Sequence, residues 1–212
     1  MGGANNKQRS VQARKRPVQK RSENSLERIL AVSAEILEQA GVEGFNTNEI
    51  SKRSGVAIGS VYHYFPNKEA ILFALCSRWL DSITAKYESF EELGLDGEDP
   101  RAFWRALIDR LFEGYRMTRG LRAITQATEM WPQIKELDVR FDEKVILRIG
   151  FYLRLLGIKA SQREQKRLST LILNMLHYGL LLSVSMSSGE ADKNLDDITE
   201  NLVSMVERHR PT

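Results

Sequence analysis

Apolar residues recur at three- and four-residue spacing along nearly the whole chain, and no stretch alternates with period two for long enough to mark a strand. The pattern predicts a first helix over Ser25 to Ala40, with a stripe of Leu26, Ile29, Leu30, Ser33 beside Ala34, and Leu37, and with Gly41 as its stop. Asn46 with Glu49 three residues later reads as a capping box for a second helix, with Phe45 and Ile50 as a hydrophobic staple across the cap. Gly55 supplies a left-handed turn. A third helix covers Ile58 to Tyr64 and ends because Pro66 disfavours helical geometry at Phe65. Asn67 caps a long fourth helix whose run Ile71, Leu72, Leu75, Trp79, Leu80 and Ile83 continues past residue 85.

Five further helices complete the pattern. Asp99-Pro100 opens one that reaches Met117, and others cover Leu121 to Trp131 and Pro132 to Leu156, with Gly157 as a stop. Ser161 with Glu164 caps a helix expected to run to Ser187 and to end at Gly189; a last amphipathic helix spans Asp192 to Arg208. The fold class is therefore all-α, about nine helices, three small and six larger. The boundaries predicted are a disordered basic arm over 1–24, a three-helix domain over 25–70, and a larger helical domain over 71–212.

Two short helices joined by a tight glycine turn form a helix-turn-helix, the arrangement that presents a second helix to the DNA major groove. Charge refines that picture. Residues 1–24 carry Lys7, Arg9, Arg14, Lys15, Arg16, Lys20 and Arg21 against Glu23 alone, whereas residues 25–75 are net acidic and the whole chain is only +3. Directly before a helix-turn-helix, such a tail suits an arm that follows phosphates or enters a minor groove, with Arg14, Lys15 and Arg16 at its centre. A solvated charge run is the alternative reading of the same residues.

Other chemistry is sparse. No apolar run reaches the roughly 18–20 residues that span a bilayer, and the basic start lacks the apolar segment of a secretory signal. One cysteine, Cys76, fits a reducing compartment and a buried apolar position. The three histidines, His63, His177 and His209, have no metal-ligand spacing, so neither a metal nor a cofactor is expected. No nucleophile–base pair, carboxylate pair or phosphate loop points to an enzyme. A cytoplasmic location is expected.

The motif residues Gly41-Val42-Glu43-Gly44-Phe45, Asn46-Thr47-Asn48-Glu49-Ile50, Ser54-Gly55-Val56 and Gly59-Ser60-Val61-Tyr62-His63-Tyr64-Phe65-Pro66-Asn67-Lys68-Glu69 resemble the tetracycline-repressor (TetR) family of transcriptional regulators. The resemblance covers about residues 26–75. It implies a homodimer whose third helices enter successive major grooves of a palindromic operator, and a small molecule in the C-terminal domain that releases the DNA. Regulation by a protein partner, without a small-molecule effector, is the alternative.

Thr47 at the start of the second helix suits a phosphate contact. Ile58, Gly59, Ser60, Tyr62 and His63 form the exposed set of the third helix, opposite Val61, Tyr64 and Phe65; Tyr62 and Tyr64 compete for the inward place, which Tyr64 fits better. Lys68 matches the family's phosphate-contacting lysine. Two positions depart from the family pattern: Ala57 replaces the usual capping Ser or Thr, and Ile58 stands where a lysine often reaches a base.

In the C-terminal part, Phe103, Trp104, Phe112, Tyr115, Met130, Trp131 and Tyr152 are at home in a core, and as a group they also suit the lining of a pocket for an apolar or aromatic effector. Glu129, Asn174 and His177 are the polar candidates for orienting it. Leu168, Leu171, Ile172, Met175 and Gly179 on the eighth helix, with Leu195, Ile198, Leu202 and Met205 on the ninth, give two stripes that suit a four-helix dimer interface.

Overall fold

The computed structural model describes residues 20–95 and 97–210, with side chains from Glu23 onward. The predicted arm residues Arg14, Lys15 and Arg16 lie outside the described residues. Among the described residues there are nine α-helices and no strand: α1 (Lys20–Ala40), α2 (Thr47–Ser54), α3 (Ile58–Tyr64), α4 (Lys68–Glu91), α5 (Pro100–Met117), α6 (Leu121–Met130), α7 (Pro132–Leu155), α8 (Gln162–Ser183) and α9 (Ser188–His209).

The chain divides into two compact units. The first holds residues up to Arg78 together with Arg119–Glu136, and the second holds Trp79–Thr118 and Leu137 onward. Helix α4 is thus shared, Lys68–Arg78 in one unit and Trp79–Glu91 in the other.

In the first unit, Ile29, Leu30, Ile36 and Leu37 of α1 are buried with Phe45, Ile50, Val56 and Val61. The staple residues Phe45 and Ile50 are both fully inside, and Asn46 Oδ1 accepts the Glu49 N–H at 2.9 Å, closing the first turn of α2. Helix α6 belongs to this unit as well. Its N-cap, Gly120, has φ +68°, and a Cβ there would lie 2.9 Å from the Ala34 carbonyl of α1, so only glycine fits. Glu35 of α1 braces the assembly from both sides, bonding Arg119 at 2.9 Å and meeting Arg53 of α2 at 3.6 Å.

In the second unit α5, α8 and α9 pack on one another, and two expectations are corrected. Helix α8 ends at Ser183, not Ser187, and α9 begins at Ser188, so Gly189 lies in the first turn of α9 rather than ending α8. The reason is a cap: the Ser187 N–H and hydroxyl both donate to Glu190 Oε2, at 3.2 and 2.6 Å. Ser183 and Asn194 then form a half-buried polar clasp, with Asn194 Nδ2 donating to Ser183 Oγ at 2.6 Å and to the Gly179 carbonyl at 3.2 Å.

Gly179 does permit a close helix approach, but within one chain. A Cβ there would lie 2.6 Å from Ile198 Cδ1 of α9. Leu168, Ile172, Leu195, Ile198, Leu202 and Met205 are likewise buried inside this chain. The two stripes read as an interface face each other across the α8–α9 contact. What α8 leaves outside is Leu171, Tyr178 and Leu182, with Met175 half-buried between them.

Candidate nucleic-acid interface and interior cavity

Helix α3 is short, and its seven residues, with Phe65 just after them, split between two faces. Val61, Tyr64 and Phe65 are buried, while Ile58 and Tyr62 are 37% and 44% exposed and Gly59, Ser60 and His63 are exposed beside them. The tyrosine partition is thereby resolved, Tyr64 inside and Tyr62 outside. Gly55, at φ +66°, makes the turn that sets α3 against α2, and Ser51 Oγ fixes the turn further by donating to the Val56 carbonyl at 2.7 Å.

At the entrance to α3, Ala57 provides no side-chain cap; its carbonyl accepts from the Ser60 and Val61 N–H groups. The first turn therefore has backbone acceptance at Ser60 but lacks the additional side-chain acceptor that Ser or Thr at position 57 would give. Thr47 is half-buried at the start of α2, and its hydroxyl shares a 3.0 Å hydrogen bond with the Tyr62 hydroxyl. Sequence reasoning placed both residues at the interface but missed the bond between them, which joins the start of α2 to the outer face of α3. Lys68 is half-buried at the first position of α4, after Asn67, whose Oδ1 accepts the Ala70 N–H at 2.9 Å.

Gly59 carries the most specific information. A Cβ built there meets nothing within 4 Å, and its φ is not positive, so neither packing nor backbone geometry within the protein requires glycine. Glycine in a helix costs roughly 0.5–1 kcal/mol relative to alanine. A position that is exposed, sterically open and intrinsically unfavourable makes sense where another molecule's surface must come close to the backbone.

The sequence profile described as "Bacterial regulatory proteins, tetR family" matches residues 29–75, the span that contains α2, α3 and the start of α4. The matched segment is thus similar to the DNA-binding part of TetR-family regulators. Relatives include the transcriptional repressor KstR2 of Rhodococcus jostii, 27% identical over 122 residues, covering 54% of this chain and 58% of the relative. The regulator EthR of Mycobacterium tuberculosis is 25% identical over 126 residues, covering 56% and 58%. The match thus spans less than two thirds of these relatives' own length. Among solved structures, a transcriptional regulator from Rhodococcus sp. RHA1 superposes with a TM-score of 0.69 at 19% identity, over 87% of this chain and 96% of the other. PfmR from Thermus thermophilus, a TetR-family regulator, gives 0.65 at 15% identity, over 87% and 100%. At these identities the structural likeness speaks for the TetR fold alone.

The second unit holds an interior cavity of about 20 Å³ between α4, α5, α7 and α8. Of the ten residues expected to line an effector pocket, Tyr115 and His177 border it, joined by a 2.8 Å hydrogen bond between the phenol and Nδ1. Burial lowers the His177 pKa, so the ring is neutral at pH 7. Phe103, Trp104 and Tyr152 are instead core residues; Phe90, Phe103 and Tyr152 stack edge to face, and the Tyr152 hydroxyl donates to Glu91 at 2.8 Å. Phe112 is half-buried on α5 outside the lining. Asn174 is exposed and donates to the Thr170 carbonyl. Glu129, Met130 and Trp131 belong to the first unit, the first two exposed and Trp131 half-buried.

The sequence reading missed Trp79, Tyr87, Phe141, Asp138 and Asp142, which line the cavity with Tyr115 and His177. A signal was there to be read. The apolar stripe of α7, Ile134, Phe141, Val145 and Ile149, carries Asp138 and Asp142 at positions that should be apolar. Burial, and then the Asp138 carboxylate one turn away, push the Asp142 carboxyl up to about 6 from its ordinary 3.8.

The sign of that shift fixes a pH dependence. Because the folded value lies above the unfolded one, ionised Asp142 subtracts stability above pH 6, and the loss fades as pH falls from 6 towards 4. Asp142→Asn should therefore stabilise the protein at pH 7.5 by about 1 kcal/mol, after allowance for the solvent that screens a half-exposed group. That corresponds to roughly 2–4 °C in Tm. The advantage should vanish near pH 4, as followed by thermal unfolding across that range; an advantage independent of pH would contradict the assignment.

Proposed function

We propose that this chain is a dimeric, cytoplasmic TetR-family transcriptional repressor that binds a palindromic operator and is released by a small-molecule effector. The observation that carries the DNA-binding part is the outer face of α3, with Gly59 open and exposed between Ile58 and Ser60. In this reading the α3 backbone at Gly59 approaches the major groove, Ser60 and His63 reach base edges or phosphates, and Ile58 meets a thymine methyl. The Tyr62 hydroxyl, steadied by Thr47, and the ammonium of Lys68 hold the phosphates on either side. The basic arm, including Arg14, Lys15 and Arg16, supplies long-range attraction that α3, without a lysine or arginine, does not.

For the effector, the reading rests on the cavity beside Tyr115 and His177, three of whose walls, Trp79, Ile83 and Tyr87, are on α4. The same helix begins at Lys68, directly after the α3 segment. An effector that displaces those walls acts on the helix that leads to the DNA-reading end, and the coupling is a difference in its affinity for the two arrangements.

For the dimer, the reading rests on Leu171, Tyr178 and Leu182, exposed at 42%, 63% and 52% along one face of α8. Their spacing of seven and four residues makes a continuous apolar seam suited to the same seam on a second copy.

Two measurements test these parts separately. Gly59→Ala should raise thermal stability slightly, by about 0.5–1 kcal/mol, yet weaken operator binding by about tenfold or more in fluorescence anisotropy, a loss of about 1.4 kcal/mol. Undiminished affinity would remove α3 from the interface. The double change Tyr178→Glu with Leu182→Glu alters exposed positions only, so it should leave helicity intact and give monomers by light scattering; a dimer would show that this face of α8 is not the contact.

A further inference from the structure

Within that ligand-released reading, the cavity's chemistry specifies more than an apolar guest. Its walls combine the rings of Trp79, Tyr87, Tyr115 and Phe141 with aliphatic side chains such as Leu111 and Leu176, and its charged lining is the pair Asp138 and Asp142. The two carboxylates are one helical turn apart on α7, the spacing at which like charges repel. No lysine or arginine is among the lining residues. The cation near Tyr87, Arg148, sits 5.6 Å above that ring and is held by Glu91 at 2.9 Å. His177 is half-buried and its pKa is lowered by burial, so at pH 7 it adds no positive charge. Asp142 accepts no hydrogen bond from any described residue and forms no ion pair with one, and its charge is opposed by both burial and Asp138.

A second, independent feature points the same way. Trp79 is only 4% exposed, lines the cavity, and its indole N–H finds no acceptor among the described residues. A buried donor left without an acceptor costs about 1–3 kcal/mol. The wall thus offers two unmet demands, positive charge near Asp142 and a hydrogen-bond acceptor for Trp79, among aromatic rings whose faces attract cations.

We propose that the effector is an organic cation, a protonated or quaternary amine that also carries a hydrogen-bond-accepting oxygen. The cationic nitrogen lies against Asp142 and over the aromatic rings, and the oxygen accepts from Trp79 Nε1–H. At about 20 Å³ the cavity has room for about one water molecule. Such a guest therefore enters by moving the walls apart, and binding is coupled to a change in the helices that form them.

Isothermal calorimetry on the full chain tests this with choline, benzyltrimethylammonium and 3,3-dimethylbutan-1-ol, the last being the uncharged carbon isostere of choline. Choline and benzyltrimethylammonium should bind at least tenfold more tightly than the neutral alcohol. Asp142→Asn should abolish that preference without loss of thermal stability. Trp79→Phe, which keeps the ring and removes the N–H, should weaken choline more than benzyltrimethylammonium, which has no oxygen. Equal binding of the charged and neutral compounds, or a cation preference that survives Asp142→Asn, overturns the proposal. Operator release is measured in parallel by anisotropy. A cation that binds through Asp142 but leaves operator affinity unchanged supports the site and contradicts its role as the effector switch. Release by neutral compounds, equal in wild type and Asp142→Asn, keeps the ligand-released reading and overturns the cation assignment.

Discussion

A helix of seven residues has too few internal hydrogen bonds to persist alone, so α3 depends on what it buries. Val61, Tyr64 and Phe65 anchor it in the core of the first unit, and Gly55 fixes the angle at which it leaves α2. That arrangement leaves five consecutive or near-consecutive positions, Ile58, Gly59, Ser60, Tyr62 and His63, on the outer face. Every functional proposal for the first unit follows from this division. If Tyr64 and Tyr62 exchanged faces, the Thr47–Tyr62 bond and the open approach at Gly59 would both be lost.

The second unit is organised by the opposite situation, a demand left unmet. Most of its interior is conventional: interleaved aromatics around Phe90, Phe103 and Tyr152, and a tight α8–α9 contact through Gly179 and Ile198. Around the small cavity the rule changes. Asp142, with no hydrogen bond or ion pair to a described residue, occupies a helix stripe that should be apolar, and the buried Trp79 indole N–H has no acceptor among the described residues. Such groups weaken the fold, and their retention beside aromatic walls is intelligible if a guest satisfies them.

Much of the first unit was legible in the sequence because its signals are local. The Asn46 cap, the Phe45/Ile50 staple, the Gly55 turn and the Pro66 stop each act within a few residues, and each appears where the pattern placed it. The α8–α9 junction was misread because a glycine was given more weight than the Ser187–Glu190 cap two residues earlier. The stripes on α8 and α9 were correctly read as apolar, but periodicity says only that a face is covered, not whether by the same chain or another. Here the α8 and α9 stripes cover each other, and the residual seam of Leu171, Tyr178 and Leu182 emerges only once the packing is known. The cavity was the least legible feature. Its walls come from α4, α5, α7 and α8, distant in sequence, and the aromatic residues most conspicuous in the sequence, Trp104 and Tyr152, proved to be core. Asp138 and Asp142 were visible all along as misplaced charges in α7.

The central claim is that the exposed face of α3 reads DNA as one half of a symmetric pair. Selection of bound sequences from a pool of random duplexes by the purified protein tests it most directly. Two α3 helices related by a twofold axis predict enrichment of an inverted repeat, its half-site centres about one helical turn, roughly 10 base pairs, or a whole multiple of that apart. A pool that remains without a shared sequence, or converges on a single undivided site, would contradict the account.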